Sequence, residues 1–534
     1  MRRRSRTRAG AALVACGGML AAAALAGPPP ATALAGPPAT AAAGDPPRLD
    51  WKPCGDAATP ALQCAMLEVP LDHARPDGRT VRIALNRLPA TAPPGERQGP
   101  MLLNPGGPGI SGLWMASWIP SRLPPDVAAS YDWIGFDLRG SQHSEPRMSC
   151  DPHYFDGPRP DFQVDQGTTE AWLAKAAGYV ANCTEKHSRL LPHLSTVDHV
   201  RDMESIRRAL GAEKINFFGW SYGTTLGSTY AQFYPGHVRR FVLDSIVGPS
   251  VSWYDHNVLQ DLQHEKRFKA FTAWVAKADG VYHLGTDPAG VEAKWYAMRT
   301  RLREHPVGRI GPDEFDDTQV AGGYDVLRWP RLATVLAAYT NSGDTAPLAT
   351  AYERYAAPDP ADDSFDLYNA VMCSDSKWPR DFRYWRKDQA KVNEKAPFYT
   401  YNNMWFNAGC LTWPVKAGHR PRITGKGLPP LLLFQATDDP ATPYEGGLDM
   451  ARALPSARLV VERGGGSHAI TFAGNTCLDD LLVDYLRGGK VPPDRGLVDR
   501  TCAKNPDPAP VWVTPAPAVA SGTQATAVPR QFVR

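Results

Sequence analysis

Five residues, Gly219-Trp220-Ser221-Tyr222-Gly223, constrain this chain more than any other stretch. They match G-x-S-x-G, a pattern that a glycine-rich chain can also produce by chance. Here a strand-like run, Ile215–Phe218, precedes the motif and a helical run, Thr224–Phe233, follows it. That strand–turn–helix setting is what the chemistry needs. The sharp turn lifts the serine Oγ above a sheet, and glycine at the flanking positions lets neighbouring backbone approach without a Cβ clash. Ser221 as a plain helix cap is the alternative, and the preceding strand favours a nucleophile instead.

A serine hydroxyl attacks poorly unless a base takes its proton. In folds that use this turn, the acid and then the histidine follow the serine along the chain. His468 fits the base: it closes Gly464-Gly465-Gly466-Ser467-His468, a pliable loop after the strand-like run Leu459–Glu462. The acid should leave the preceding strand, and Leu431–Gln435 runs into Asp438-Asp439, either of which could orient the imidazole. Charge developing on a substrate carbonyl calls for backbone donors. The Tyr222 N–H is one candidate, and Gly107, in the turn after Met101–Leu103, is the other, because Pro105 and Pro108 carry no N–H.

Around these motifs strands and helices alternate, which predicts an α/β sheet. The early runs are Met66–Val69, Val81–Leu88 and Tyr131–Phe136, followed by a helix at Val197–Leu210 and a strand at Phe241–Leu243. From 250 to 425 strand-like runs become scarce and Trp, Tyr, Lys and Asp dominate. The pattern then resumes with a helix at Gly446–Leu454 and another at Leu478–Leu486. The reading is an α/β-hydrolase fold whose core spans 49–249 and 426–503, interrupted by a mostly helical cap at 250–425. Residues 36–48 and 504–534, rich in Pro and Ala, read as disordered.

Arginines at positions 2, 3, 4, 6 and 8 precede an Ala/Gly/Leu-rich run, and Ala-Leu-Ala sequences end at Ala26 and Ala35. That is the layout of a secretory signal, taken as 1–35. A membrane anchor would need a more apolar run, so no stable membrane insertion is expected. Lipidation at Cys16 and a twin-arginine signal stay open. Export agrees with cysteine usage, since eight remain after Cys16 and fall into four local couples. The expected disulfides are Cys54–Cys64, Cys150–Cys183, Cys373–Cys410 and Cys477–Cys502. No Cys/His metal spacing competes, and neither a metal nor a cofactor is called for. The formal net charge of +3 over 534 residues, with no basic stripe, gives no reason to expect nucleic acid as a partner.

Taken together, Asn104–Gly109, Asp137–Gly140, Gly219–Gly223, Asp439-Pro440-Ala441-Thr442-Pro443 and Gly466-Ser467-His468 resemble the proline iminopeptidase-related α/β-hydrolases. Within that group the chain is similar to the secreted tripeptidyl aminopeptidases of Streptomyces-type actinobacteria. Gly427–Pro430, the cap segment Cys373–Pro379 and Thr412-Trp413-Pro414 carry that likeness, which extends from Trp51 to Cys502. In the family the acid lies three residues before the Thr-Pro pair, which selects Asp439 over Asp438. The early turn departs from the His-Gly-Gly-Pro of proline iminopeptidases, which weakens proline-specific release of single residues. The resemblance implies removal of short peptides, often tripeptides, from free N-termini, and the protein is expected to be secreted, extracellular and monomeric. An esterase using the same triad is the alternative. A protonated amine in a dry pocket needs a carboxylate, and Asp375 is the candidate because it lies in a shared cap motif. Trp378, Trp405 and Trp413 could wall a side-chain pocket or belong to the core.

Overall fold

The computed structural model describes residues 49–514. The expected signal, Cys16 and the 36–48 pre-region lie outside the described residues. A ten-stranded sheet organises the chain, in the order β1-β2-β3-β5-β4-β6-β7-β8-β9-β10. The strands are Lys52–Pro53, Gln63–Pro70, Thr80–Leu88, Gly99–Asn104 and Tyr131–Phe136 for β1 to β5. Ile215–Trp220, Val238–Asp244, Leu432–Ala436, Arg458–Arg463 and Arg500–Ala503 are β6 to β10. The first three strands pair antiparallel, and β3 joins β5 in the same sense. From β5 across to β10 every pairing is parallel.

The difference is written in the side chains. β6 is buried along its whole length, as a central parallel strand covered on both faces must be. Successive residues of the central strands serve two separate cores. Leu102, Phe217, Phe241, Leu243 and Leu433 face one cluster, with Val200, Met203 and Leu226 from the helices Thr196–Ala209 and Tyr222–Phe233. Met101, Leu103, Phe218, Val242 and Leu432 face the other, with Met115, Leu478 and Leu482. The period of two thus sorts one strand's residues between two layers of helix.

Strand order fixes where chemistry can occur. β4 leads to β5 on one side, whereas β6 lies on β4's other side, so the chain reverses direction between them. A crevice opens at the carboxyl ends of strands that part in this way. The turn after β4 and the Ser221 turn after β6 both stand there.

Between β7 and β8 the chain is helical, from Trp253 to Leu411. Its first part packs around its own core, with Phe268, Phe271, Trp295, Phe315, Trp329 and Leu336 at the centre. Its second part does not. The helices Ser364–Asp375, Phe382–Asn393 and Thr400–Phe406 deliver Leu367, Met372, Trp385 and Trp405 into the sheet's own cluster. Trp378 and Trp413 are buried there as well, so all three tryptophans considered as pocket walls are core. Full burial of each contributes on the order of 2–3 kcal/mol.

Residues 504–514, expected to be a loose tail, instead lie along the first part of the insertion. Trp274 Nε1 donates to the Pro508 carbonyl at 3.1 Å, Tyr282 Oη to that of Val511 at 3.1 Å, and Val513 N to Thr334 Oγ1 at 3.0 Å. Disulfides join Cys54 to Cys64, Cys150 to Cys183, Cys373 to Cys410 and Cys477 to Cys502. Among the described residues no helix is long and apolar enough to cross a membrane.

Candidate active site

Ser221 follows β6 directly with φ 56° and ψ −123°, a left-handed strained conformation for a residue with a side chain. The Ser221 N–H donates to the Asp244 carbonyl at 3.0 Å, which pins the turn to the neighbouring strand. The glycines are steric necessities. A Cβ on Gly223 would lie 2.8 Å from the Asn104 carbonyl oxygen, and one on Gly106 would lie 2.8 Å from the Ser221 Cβ. The two turns can approach only because both side chains are missing.

His468 lies in the loop after β9, with Nδ1 2.9 Å from Asp439 Oδ2 and 3.0 Å from Oδ1. A carboxylate only accepts, so Nδ1 carries the proton and Nε2 is left with a lone pair. Asp439 is fully buried and accepts further bonds from the Ala441 N–H, the Thr442 N–H and the Thr442 Oγ1, at 2.9, 2.9 and 2.7 Å. Burial alone would raise its pKa; the adjacent imidazole and these donors outweigh that and hold it below the ordinary carboxylate value. Asp438 points elsewhere, 2.5 Å from Lys266 Nζ.

Ser221, His468, Tyr222 and Gly107 line one cavity of about 60 Å³. The Gly106 N–H is already taken by Asn104 Oδ1 at 3.0 Å, so Gly107 is the glycine of that turn that faces the cavity with a donor to offer. Such an arrangement can pass a proton from a hydroxyl to Nε2 while backbone dipoles meet an oxyanion.

A second buried carboxylate, Asp244, braces both arms. It accepts from Trp220 Nε1 at 3.0 Å and Thr471 N at 2.8 Å, and Ser245 Oγ accepts from Ala469 N at 2.7 Å. The turn of the serine and the loop of the histidine are thereby fastened to the end of β7.

The insertion supplies the roof. His256, Gln260, Tyr324 and Asn403 line the same cavity from three helices. Burial pushes the His256 pKa down to about 4, so the ring is a neutral hydrogen-bonding wall at physiological pH. The Tyr324 carbonyl accepts from the His468 N–H at 2.9 Å, which ties the roof to the histidine loop. None of the four is adjacent to a motif, and sequence reasoning did not find them.

Asp375 is not at this cavity. Its carboxylate accepts from the Thr196 N–H at 2.8 Å and from Thr196 Oγ1, and it lines a different hollow beside Arg420. The structure thus sets Asp375 outside the Ser221 chamber, with both carboxylate oxygens bonded to Thr196. A larger cavity of about 260 Å³ does adjoin the Ser221 chamber, sharing Gly107, Ile110, Tyr368 and Phe406 with it. Asp151, Asp359, Asp362, Asp363 and Asp366 line it against a single cation, Arg147. Arg147 pairs with Asp363. Asp366 is buried and held only by neutral donors, the Tyr179 hydroxyl at 2.7 Å and the Cys150 N–H at 2.9 Å. Burial raises the pKa of both Asp363 and Asp366 to about 6. Among the described residues one cluster, Cys150, Cys183 and Asp366, brings three metal-ligating atoms together, and its sulfurs are joined as a disulfide.

The family model for the alpha/beta hydrolase fold matches residues 99–472. A tripeptidyl aminopeptidase of Streptomyces lividans is 38% identical over 483 residues, spanning 86% of this chain and 88% of that protein. The serine protease Hip1 of Mycobacterium tuberculosis is 31% identical over 478 residues, 83% of this chain and 90% of its own. A carboxylesterase B of the same organism is 31% identical over 469 residues, 84% and 89% respectively. The chain is a serine hydrolase belonging to the alpha/beta hydrolase fold family, grouped by sequence with the Streptomyces tripeptidyl aminopeptidases.

Proposed function

We propose that this protein is an exported serine exopeptidase that releases short peptides, tripeptides in the main, from free N-termini. Ser221 attacks the scissile carbonyl, His468 takes its proton and Asp439 holds the ring and stabilises its cation. The N–H groups of Gly107 and Tyr222 receive the oxyanion. His468 then protonates the leaving amine, and water hydrolyses the acyl-enzyme.

The observation that carries the peptide reading is the acidic cavity joined to the Ser221 chamber. Five carboxylates against one guanidinium favour a cation, and Asp366 has neutral partners only. An N-terminal ammonium supplies the missing charge, and Asp366 takes the part that sequence reasoning gave to Asp375. An interior peptide segment has no such charge to offer. Four disulfides and the basic, apolar N-terminal sequence support export. The likeness to a Streptomyces tripeptidyl aminopeptidase supports tripeptide release.

The test is a matched pair of chromogenic tripeptide substrates, one with a free N-terminus and one acetylated. Cleavage of the free form alone, with an intact tripeptide released, is the expected result. Equal cleavage of both, or of neither while simple esters react, would overturn the peptide reading in favour of an esterase.

A further inference from the structure

A second cavity meets the histidine from another side. This cleft, of about 280 Å³, runs between the insertion and the sheet and shares His468 and Tyr324 with the Ser221 chamber. We propose that it receives the departing polypeptide, and that its walls select a large apolar side chain on the residue just after the scissile bond. This inference rests on the peptidase reading above.

Acyl transfer passes through a tetrahedral intermediate. Its oxyanion points to the Gly107 and Tyr222 N–H groups, and its leaving nitrogen must lie within about 3 Å of the imidazole nitrogen that protonates it. Acyl group and leaving chain therefore diverge, one past the oxyanion turn and one past the histidine. On the Gly107 side stands the acidic cavity. On the His468 side stands the cleft. Each cavity shares residues with the chamber on the side its occupant requires.

The cleft carries an aromatic wall, and Arg122, Asp325, Arg328, Glu462, Lys504 and Asp507 line the rest with both signs of charge. Trp118, Trp220 and Phe472 form one wall, with Trp118 centred 5.8 Å from each of the other two rings. Phe472 is held at φ 63°, a conformation that costs free energy for any residue but glycine and persists only where the surroundings impose it. Its N–H donates to Asp479 Oδ1 at 2.8 Å, which fixes the turn that carries the ring. Leu327, from the insertion and 69% exposed, lines the same cleft and adds an apolar side chain to it. Residues 504–507 line it as well. The volume suits one large side chain with its backbone, and an exopeptidase that keeps three residues on one side must pass the rest of its substrate out on the other.

The experiment compares two tetrapeptide amides, Ala-Ala-Ala-Phe-NH2 and Ala-Ala-Ala-Gly-NH2, as a ratio of kcat/KM, so that any loss of folded enzyme cancels. Wild-type enzyme should favour the phenylalanine substrate by about tenfold or more, the range that burying one aromatic side chain supports. Leu327→Asp sets a carboxylate in the wall and should reduce that preference at least about fivefold. Phe472→Ala should reduce it as well. Tyr384→Asp, which alters an exposed aromatic away from both cavities, should retain it. A wild-type ratio near one, or an unchanged ratio in both cleft variants, overturns the proposal while tripeptide release still stands. If the wild-type enzyme cleaves neither peptide, the peptidase reading fails and this inference falls with it.

Discussion

The carboxyl edge of the sheet and the helical insertion above it line the same chamber in different ways. The edge contributes Ser221, Asp439 and His468, each at or just beyond the end of a strand whose pairing fixes it. Asp244 cross-ties two of those arms through the end of β7. The insertion contributes His256, Gln260, Tyr324 and Asn403 from three helices, and Asp366 in the adjoining cavity from a fourth. These residues depend on how helices pack rather than on a hydrogen-bonded ladder. The contrast suggests a division of labour, with bond breaking at the edge and substrate choice in the roof.

Four measurements can break or sharpen that division. Ser221→Ala should lower turnover of every substrate by on the order of 10⁵–10⁶, with an unchanged melting temperature. Retained turnover would remove the nucleophile. Asp439→Asn should cost about 10⁴ in kcat on peptides and esters alike, because the amide would favour the wrong imidazole tautomer. A loss confined to peptides would erase the distinction between edge and roof.

Asp366→Asn should behave differently. For free-amine tripeptide substrates kcat/KM should fall about 10- to 100-fold, while a simple p-nitrophenyl ester keeps its rate. Equal losses on both would show that Asp366 supports the fold and not the amine. The smallest effect is in pH. Asp363 and Asp366, raised to about 6 by burial, are ionised above that value and protonated below it. Tripeptide turnover divided by ester turnover should therefore decline as pH falls through about 6, and the ratio cancels titration of the shared triad. A ratio flat from pH 8 to 5 would separate these carboxylates from amine binding.

The same contrast explains what could be read from the chain. Eight strands of the sheet were legible because their side chains alternate between two cores or form unbroken apolar runs, as in Ile215–Trp220, whereas the two short outermost strands, β1 and β10, carry no such pattern and were not read. Ser221 and His468 stood out because tight turns demand glycine next to them, and glycine is visible in a sequence. The choice between Asp438 and Asp439 was not local. One carboxylate meets Lys266 and the other meets His468, and only the packed loop separates them. The surroundings of Asp375 were hidden for a related reason: a helix carries residues to opposite sides, and this one faces Thr196. Asp366 lies nine positions earlier on the same helix and faces a cavity, which no spacing rule would reveal without knowing the partner helices. The tail past 503 reads as Pro- and Ala-rich, yet two of its carbonyls and one N–H are recruited by side chains far away in the chain.

That tail has a mechanical consequence. A roof joined to its base only where the chain enters and leaves could tilt about the line between those two points. Here a third attachment runs from β10 to Trp274, Tyr282 and Thr334 on the roof's first part. Each such tie resists tilting of the first part, so substrate reaching Ser221 passes through openings that the packed structure already provides.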